Sequence, residues 1–352
     1  MRRALAALVV LASLLTCASA RAGDAAPTAR LSVSPGRLSY LGGRVALSWS
    51  STHAKSCVLS AKPRFWPKRK SARVRCTGRL SRALRPASRA GRWTFTLRAT
   101  SAAGRVTVVR RTLVRRAPPF VVSANWAGYL IRSTSPVTAV SGDFTVPRLD
   151  CRGTNNSGES TWVGIGGAGG STGDLLQTGV RSNCILGTQE VNPGWWAEFP
   201  AYRETDFDST FVSAGDSIRA TVSRNADGSW TTRLDDLTVG VSGVMSTGGS
   251  YGTVRDSSPT VWLEREGSAS TVSYAGGYTA EWILEDFYEG LGRLAPLARF
   301  GRVSFTGLST SLPSWALTPD EELGIGDFGG RLWAAPSGPD ASGRGFSVTY
   351  TG

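Results

Sequence analysis

Between Phe120 and Gly352 the chain has no histidine and no lysine, which bounds the chemistry open to it. The only histidine, His53, lies in the N-terminal third and reads as a surface loop residue. A Ser-His-Asp triad, a Cys-His dyad, a Ser-Lys dyad and a His-ligated zinc site are therefore excluded from residues 120–352. Neither a metal nor a cofactor is expected. Hydrolytic proton transfer there must run through carboxylates, with tyrosine or amide groups assisting. Two arrangements remain open. One is a carboxylate pair, as in glycosidases or aspartic peptidases. The other is a lone carboxylate beside a neutral polariser. The stretch Ala280–Phe287 supplies carboxylates at strand spacing: Glu281, Ile283, Glu285 and Phe287 project to one face. Ala280, Trp282, Leu284 and Asp286 project to the other. Taken alone, this pattern also describes an ordinary solvated strand face, and a strand glutamine such as Gln177 more often makes a structural hydrogen bond.

Three segments, in this order, narrow the choice. They are Ser123-Ala124-Asn125-Trp126-Ala127-Gly128-Tyr129; Thr161-Trp162-Val163-Gly164-Ile165-Gly166-Gly167, continuing to Leu175-Leu176-Gln177-Thr178-Gly179-Val180; and Ala280-Glu281-Trp282-Ile283-Leu284-Glu285-Asp286-Phe287. Together they resemble the glutamic peptidase (eqolisin) family from Phe120 to Gly352. The resemblance implies an all-β fold, a large antiparallel β-sandwich of concanavalin-like jelly-roll form with a concave cleft. It also implies protein or peptide substrates and a catalytic pair, Gln177 and Glu285. Glu285, ionised at moderately acidic pH, would take a proton from the attacking water, and the Gln177 amide would donate to the developing oxyanion. An unperturbed Glu pKa near ~4.3 suits such a base. Glu281 is the fallback for Glu285.

On the substrate side, the resemblance points to Trp162 near the dyad, and to Trp195 and Trp196 in a Trp-rich segment that carries a supporting Glu. That Glu falls on Ala197, and Glu198 is displaced by one position. A one-residue slip reverses a strand side chain unless a bulge corrects it. Gly166 and Arg181 stand where fungal members carry Asp. This thins the acidic shell and bears on the strongly acidic optimum of those members. The rival class is a non-catalytic carbohydrate- or cell-wall-binding β-sandwich, in which Trp162, Trp195 and Trp196 would stack on sugars. Such a protein has no need of the Gln177/Glu285 pair.

The elements that must position these residues are short strands. Ser217–Ser223 alternates, long helical periodicity is nearly absent, and the one helix candidate is around Pro319 to Leu323. Residues 1–20 read as a secretory signal peptide: Met1-Arg2-Arg3, an apolar run from Ala4 to Leu15, then Ala18-Ser19-Ala20. No later stretch reaches the length of a membrane span, so a secreted, extracellular chain is expected. Residues 21–116 form a basic module. Its strand-like runs are Arg44–Trp49, Arg92–Ala99 and Arg105–Val114, and it loosely resembles bacterial immunoglobulin-like β-sandwiches. Ala117-Pro118-Pro119 is a stiff linker, and residues 120–352 are the larger domain.

Charge divides at the same boundary: residues 21–119 hold 23 Lys or Arg and one acid, and residues 120–352 hold 15 Arg and 25 acids. Two partners are open for the basic module, its own acidic domain as a pro-domain would use it, or cell-surface polyanions. Nucleic acid is not expected. After the leader, four cysteines remain, with three possible connectivities. Cys57–Cys76 and Cys151–Cys184 are favoured, because each pair lies within one domain.

Overall fold

The computed structural model describes residues 25–352 apart from 67–70, 88, 169–173, 199–204, 208–210, 256–266, 269–272, 290–292, 319–320 and 328. The expected leader therefore lies outside the described residues. The chain separates into two compact units, the larger comprising Arg115–Gly352 together with Ser39–Gly43 and Leu84–Ala90.

The smaller unit packs one sheet of Thr28–Ser34, Gly43–Thr52 and Thr77–Leu84 with a second built on Val106–Arg115, Gly91–Thr100 and Ser56–Lys62. Alternation explains its core: Phe95, Leu97 and Ala99 are buried, as are Val45 and Leu47 on the neighbouring sheet. His53 is exposed in a turn, with a φ of 59°. Cys57 and Cys76 are joined, and so are Cys151 and Cys184 in the larger unit.

Nine strands of the larger unit matter to the site: β1 (Trp126–Val137), β2 (Ala139–Thr145), β3 (Ser157–Gly166), β4 (Leu175–Ile185), β5 (Thr188–Glu198), β6 (Ser217–Arg224), β7 (Gly277–Glu285), β8 (Arg302–Thr310) and β9 (Glu322–Gly326). One antiparallel layer runs β5–β4–β3–β7–β1–β9. The other is centred on β8–β2–β6 and continues through Trp230–Asp236 and Val241–Ser246. The core lies between them. Tyr129, Val163, Ile165, Leu176, Val180, Trp282 and Leu284 come from the first layer, and Val140, Phe144, Ile218, Val222, Phe305 and Leu308 from the second. Trp282 links the layers: its indole N–H donates to Ser141 O at 2.9 Å. Gly142 makes room for it, because a Cβ there would stand 2.8 Å from the indole. The result is a two-layer antiparallel β-sandwich.

Of the helix candidate around Pro319–Leu323, Pro319 and Asp320 lie outside the described residues, and Glu321 closes a single turn onto Thr318 O at 3.1 Å. Glu322–Gly326 is strand β9, and Leu323 pairs with Gly128 on one side and Val121 on the other. At Glu322 and Leu323 sheet pairing outweighs the local helical preference of these residue types, a few tenths of a kcal/mol per residue at about 25 °C.

Candidate active site

The interior-facing residues of β3, β4 and β7 fill the core, so the alternate residues line the opposite face of the layer. Register sorts that face into three rows. Gln177, Gly164, Glu281 and Leu130 lie across β4, β3, β7 and β1; Gly179, Trp162, Ile283 and Gly128 form the next row. Arg181, Ser160, Glu285 and Trp126 form the third. Gln177 and Glu285 thus share a face on either side of β3, offset by four residues along it. Glu281 stands in the same row as Gln177.

Trp162 occupies the interval. Its indole N–H donates to Glu285 Oε2 at 2.8 Å. The far edge of the same ring lies against Gly164, where an added Cβ would sit 2.9 Å from the ring and 3.1 Å from Gln177 Cβ. The indole therefore reaches from one member of the expected pair to the flank of the other. Gly179 admits the base of that ring, since a Cβ there would stand 2.2 Å from Thr161 O and 2.6 Å from Trp162. The other Glu285 oxygen, Oε1, accepts from Asn125 Nδ2 at 2.9 Å. Asn125 is set by its own turn, in which the backbone N–H groups of Asn125 and Trp126 donate to Ser123 Oγ at 3.3 and 3.0 Å. Trp126 packs edge-on against Trp162 at 5.2 Å between ring centroids.

Exposure separates the two glutamates. Glu281 is 0% exposed, whereas Glu285 keeps 7% and Gln177 4%. Glu281 Oε1 lies 2.9 Å from the Thr279 hydroxyl, whose one proton is shared between it and Gly166 O at 3.0 Å. Gln177 Oε1 is buried with no hydrogen-bond partner among the described residues. Its oxygen is therefore not tied into the structural bond that a sheet glutamine usually makes.

Gly166 has a φ of 95°, and a Cβ there would meet Asp174 O at 2.1 Å and the Tyr274 hydroxyl at 2.7 Å. The backbone excludes a side chain, and neutral hydroxyls occupy this end of the face instead. Tyr274 donates to Ile165 O at 2.5 Å, and Thr279 binds Gly166. At the other end Arg181 stands with its guanidinium 5.5 Å from the centre of the Phe287 ring. Trp162 is wholly buried and Glu281 likewise, so both sit beneath the accessible surface of the face. That placement removes Trp162 from any sugar-stacking role. Trp196 falls opposite Gln177 in register and Glu198 opposite Leu175, but the side chains of Trp195, Trp196 and Glu198 lie outside the described residues.

Asn125 and Trp126 were within reach of sequence reading, in the segment Ser123–Tyr129, yet nothing local marks Asn125 as a carboxylate ligand; only the β1–β7 register brings it to Glu285. Three further buried carboxyls lie in this layer. Burial pushes Glu159, Asp286 and Glu322 up to about 7, against ordinary values of 4.5, 3.8 and 4.5. Thr161 donates to Glu159 Oε2 at 2.8 Å, which only partly offsets its burial. Among the described residues no cluster of His, Cys, Asp and Glu is arranged to hold a metal.

A carboxylate held at both oxygens can take up and return a proton, and an amide on the same face can donate a hydrogen bond to a developing negative charge. The chain belongs to the Peptidase A4 family, whose model matches residues 124–323. It is 32% identical over 224 residues to aspergillopepsin-2 of Aspergillus niger, covering 57% of this chain and 71% of that protein. It is 29% identical over 119 residues to scytalidopepsin B of Scytalidium lignicola, covering 34% and 42%. Two solved structures are also similar. Scytalido-glutamic peptidase with a transition state analog inhibitor has 25% identity and a TM-score of 0.47, covering 65% of this chain and 98% of that one. Aspergilloglutamic peptidase from Aspergillus niger has 29% identity and a TM-score of 0.38, covering 55% and 99%. The protein is a glutamic endopeptidase, a hydrolase of peptide bonds.

Proposed function

We propose that Glu285 is the general base and Gln177 the oxyanion donor of a secreted acid endopeptidase. Water bound beside Glu285 loses a proton to the carboxylate as its oxygen attacks the scissile carbonyl. The carbonyl oxygen gains negative charge and takes a hydrogen bond from the Gln177 amide, which donates at any pH. Protonated Glu285 then gives its proton to the departing amine, the C–N bond breaks, and the carboxylate is regenerated. A base with an ordinary Glu pKa near ~4.3 is ionised in mild acid, which supports an acidic working range. Export follows from the leader expected at residues 1–20.

The observation that carries this reading is the double anchoring of Glu285. Asn125 and Trp162 each donate to one oxygen, and Trp162 also packs beside Gly164 and Gln177. The test is digestion of denatured casein across acidic pH by the whole protein, with a chelator, a serine-directed inhibitor and a thiol reagent in parallel. Activity is expected to survive all three reagents. Glu285→Gln and Gln177→Ala should each remove most turnover, an oxyanion donor alone being worth roughly 3 kcal/mol of barrier. If Glu285→Gln stays active while Glu281→Gln is dead, the base has been assigned to the wrong end of β7.

A further inference from the structure

In the second sheet of the smaller unit, the strands Ser71–Val74, Ser56–Lys62, Gly91–Thr100 and Val106–Arg115 lie side by side. Cys57, Leu59, Ala61, Phe95, Leu97 and Ala99 turn into the core. Alternation sends their neighbours to the outer face. Register sorts that face into rows: Arg73, Val58 and Arg98; then Ser71, Ser60 and Thr96; then Lys62 and Thr94. Arg92 stands two residues before Thr94, on the same face of its strand. Arg110, from the adjoining strand, joins Lys62 and Arg92 around a groove of about 990 Å³ lined also by Ser60, Thr94 and Thr96.

Lys62, Arg73, Arg92, Arg98 and Arg110 are all exposed. Among the described residues none of these side chains is held by an ion pair or a hydrogen bond. The sequence gives the unit no counter-charge, since Asp24 is the only Asp or Glu before Asp143. Like charges gathered on one face repel one another, and an anionic partner relieves that repulsion. Guanidinium groups grip the oxygens of phosphate or carboxylate through paired N–H donors, and Ser and Thr hydroxyls add further donors. No aromatic side chain lines the groove, so a nucleobase finds no ring to stack on. The partner that fits is a chain of repeated anions read by charge alone.

We propose that this face is a docking surface for a flexible phosphodiester polymer of the cell surface, of the poly(glycerol phosphate) type. The choice of phosphodiester over polycarboxylate rests on the acidic working range proposed above. Carboxylates lose their charge by protonation near pH ~4, while Arg and Lys side chains stay cationic. A phosphodiester stays ionised there as well. A chain held by phosphodiesters therefore remains attached in the acid in which the larger unit works.

The test is calorimetric titration of the full chain with poly(glycerol phosphate) at pH 4 and pH 7. Binding is expected at both, weakening about tenfold to a hundredfold between 50 and 200 mM salt, the effect of roughly three to five released counterions. The triple variant Arg92→Gln, Arg98→Gln, Arg110→Gln should lose about tenfold or more in affinity at 50 mM salt. Its casein digestion and unfolding midpoint should not change. An equal loss of charge from exposed positions on the other sheet, Arg30→Gln, Arg44→Gln, Arg79→Gln, should cost less than about threefold. Equal losses in the two triple variants would assign binding to the net charge of the unit and overturn the proposal. So would absence of binding at pH 4, or tighter binding of single-stranded DNA or polyglutamate at either pH. The titration does not depend on turnover. A chain that binds the polymer as described but digests no casein upholds the face and rejects the dyad; one that digests casein and binds no polymer rejects the face alone.

Discussion

Both Glu285 oxygens accept hydrogen bonds, and the donors come from different parts of the sheet: Asn125 from the approach to β1, Trp162 from β3. Hydrogen bonds to a charged group are worth about 1.5–3 kcal/mol each. Asn125→Ala and Trp162→Phe should therefore each lower kcat/KM by about tenfold to a hundredfold, at 1.4 kcal/mol per factor of ten. Trp162→Phe keeps most of the ring volume, so its deficit should appear in turnover with little change in unfolding midpoint. A full rate in Trp162→Phe would show that the indole N–H does no more than fill the site. That Glu281 and Glu285 share a face was readable from alternation. Which of them is reachable was not: Glu281 is fully buried and bonded to Thr279, whose hydroxyl also meets Gly166 at the end of β3, an inter-strand contact that no local pattern records.

Strands β3 and β4 are glycine-punctuated where the Trp162 ring crosses them. The two glycines should respond differently. At Gly179 an added Cβ meets backbone, Thr161 O at 2.2 Å, which cannot swing aside. Gly179→Ala should destabilise the fold by about 2–3 kcal/mol, the scale of overpacking in a tight site, as read from a denaturant midpoint. At Gly164 the Cβ meets the ring edge of Trp162 at 2.9 Å and Gln177 at 3.1 Å. Gly164→Ala should therefore move the indole and the amide, and lose activity well before stability. Equal stability losses in both variants, with activity following stability, would contradict this distinction. The segment Leu175–Val180 was legible as a strand carrying Gln177, but the need for glycine at 164 arises from the Trp162 ring folded back over its own strand, and at 179 from the close approach of the neighbouring β3 backbone. Glu322 and Leu323 show the same limit in reverse, since residues read as part of a helix are taken into sheet pairing.

The larger unit encloses acids that are most comfortable neutral. Glu159, fully buried, Asp286 and Glu322 are each pushed up to about 7 by burial. A carboxyl whose folded pKa is raised favours the fold below its unfolded value, and that contribution is lost as pH rises through the folded value. The window runs from about 4 to 7. For Glu159 the shift from 4.5 to about 7 corresponds to about 3 kcal/mol. Calorimetry of the full chain should give a lower Tm for the larger unit at pH 8 than at pH 4, and Glu159→Gln should flatten part of that slope. A Tm that holds or rises toward pH 8 would show that these carboxyls ionise without cost. The lower Tm expected at pH 8 places the greater stability in acid, the range in which Glu285 is proposed to work.

Strand periodicity and the absence of histidine and lysine beyond Phe120 are properties of local order, and these determined the all-β reading and the exclusion of nucleophile-histidine chemistry; the choice of Gln177 and Glu285 came from the resemblance of their segments to the glutamic peptidase family. The cysteine pairing followed from domain boundaries in the same way. Only the tertiary structure decided the rest. It placed Gln177 and Glu285 on either side of β3, made Asn125 and Trp162 donors to Glu285, closed Gly166 to any side chain and set Arg181 in the row of Glu285. Each of these depends on register between strands up to 160 residues apart in sequence, as Asn125 and Glu285 are. Register is settled by which faces bury their apolar side chains together, a property of the assembled sheet and not of any one segment.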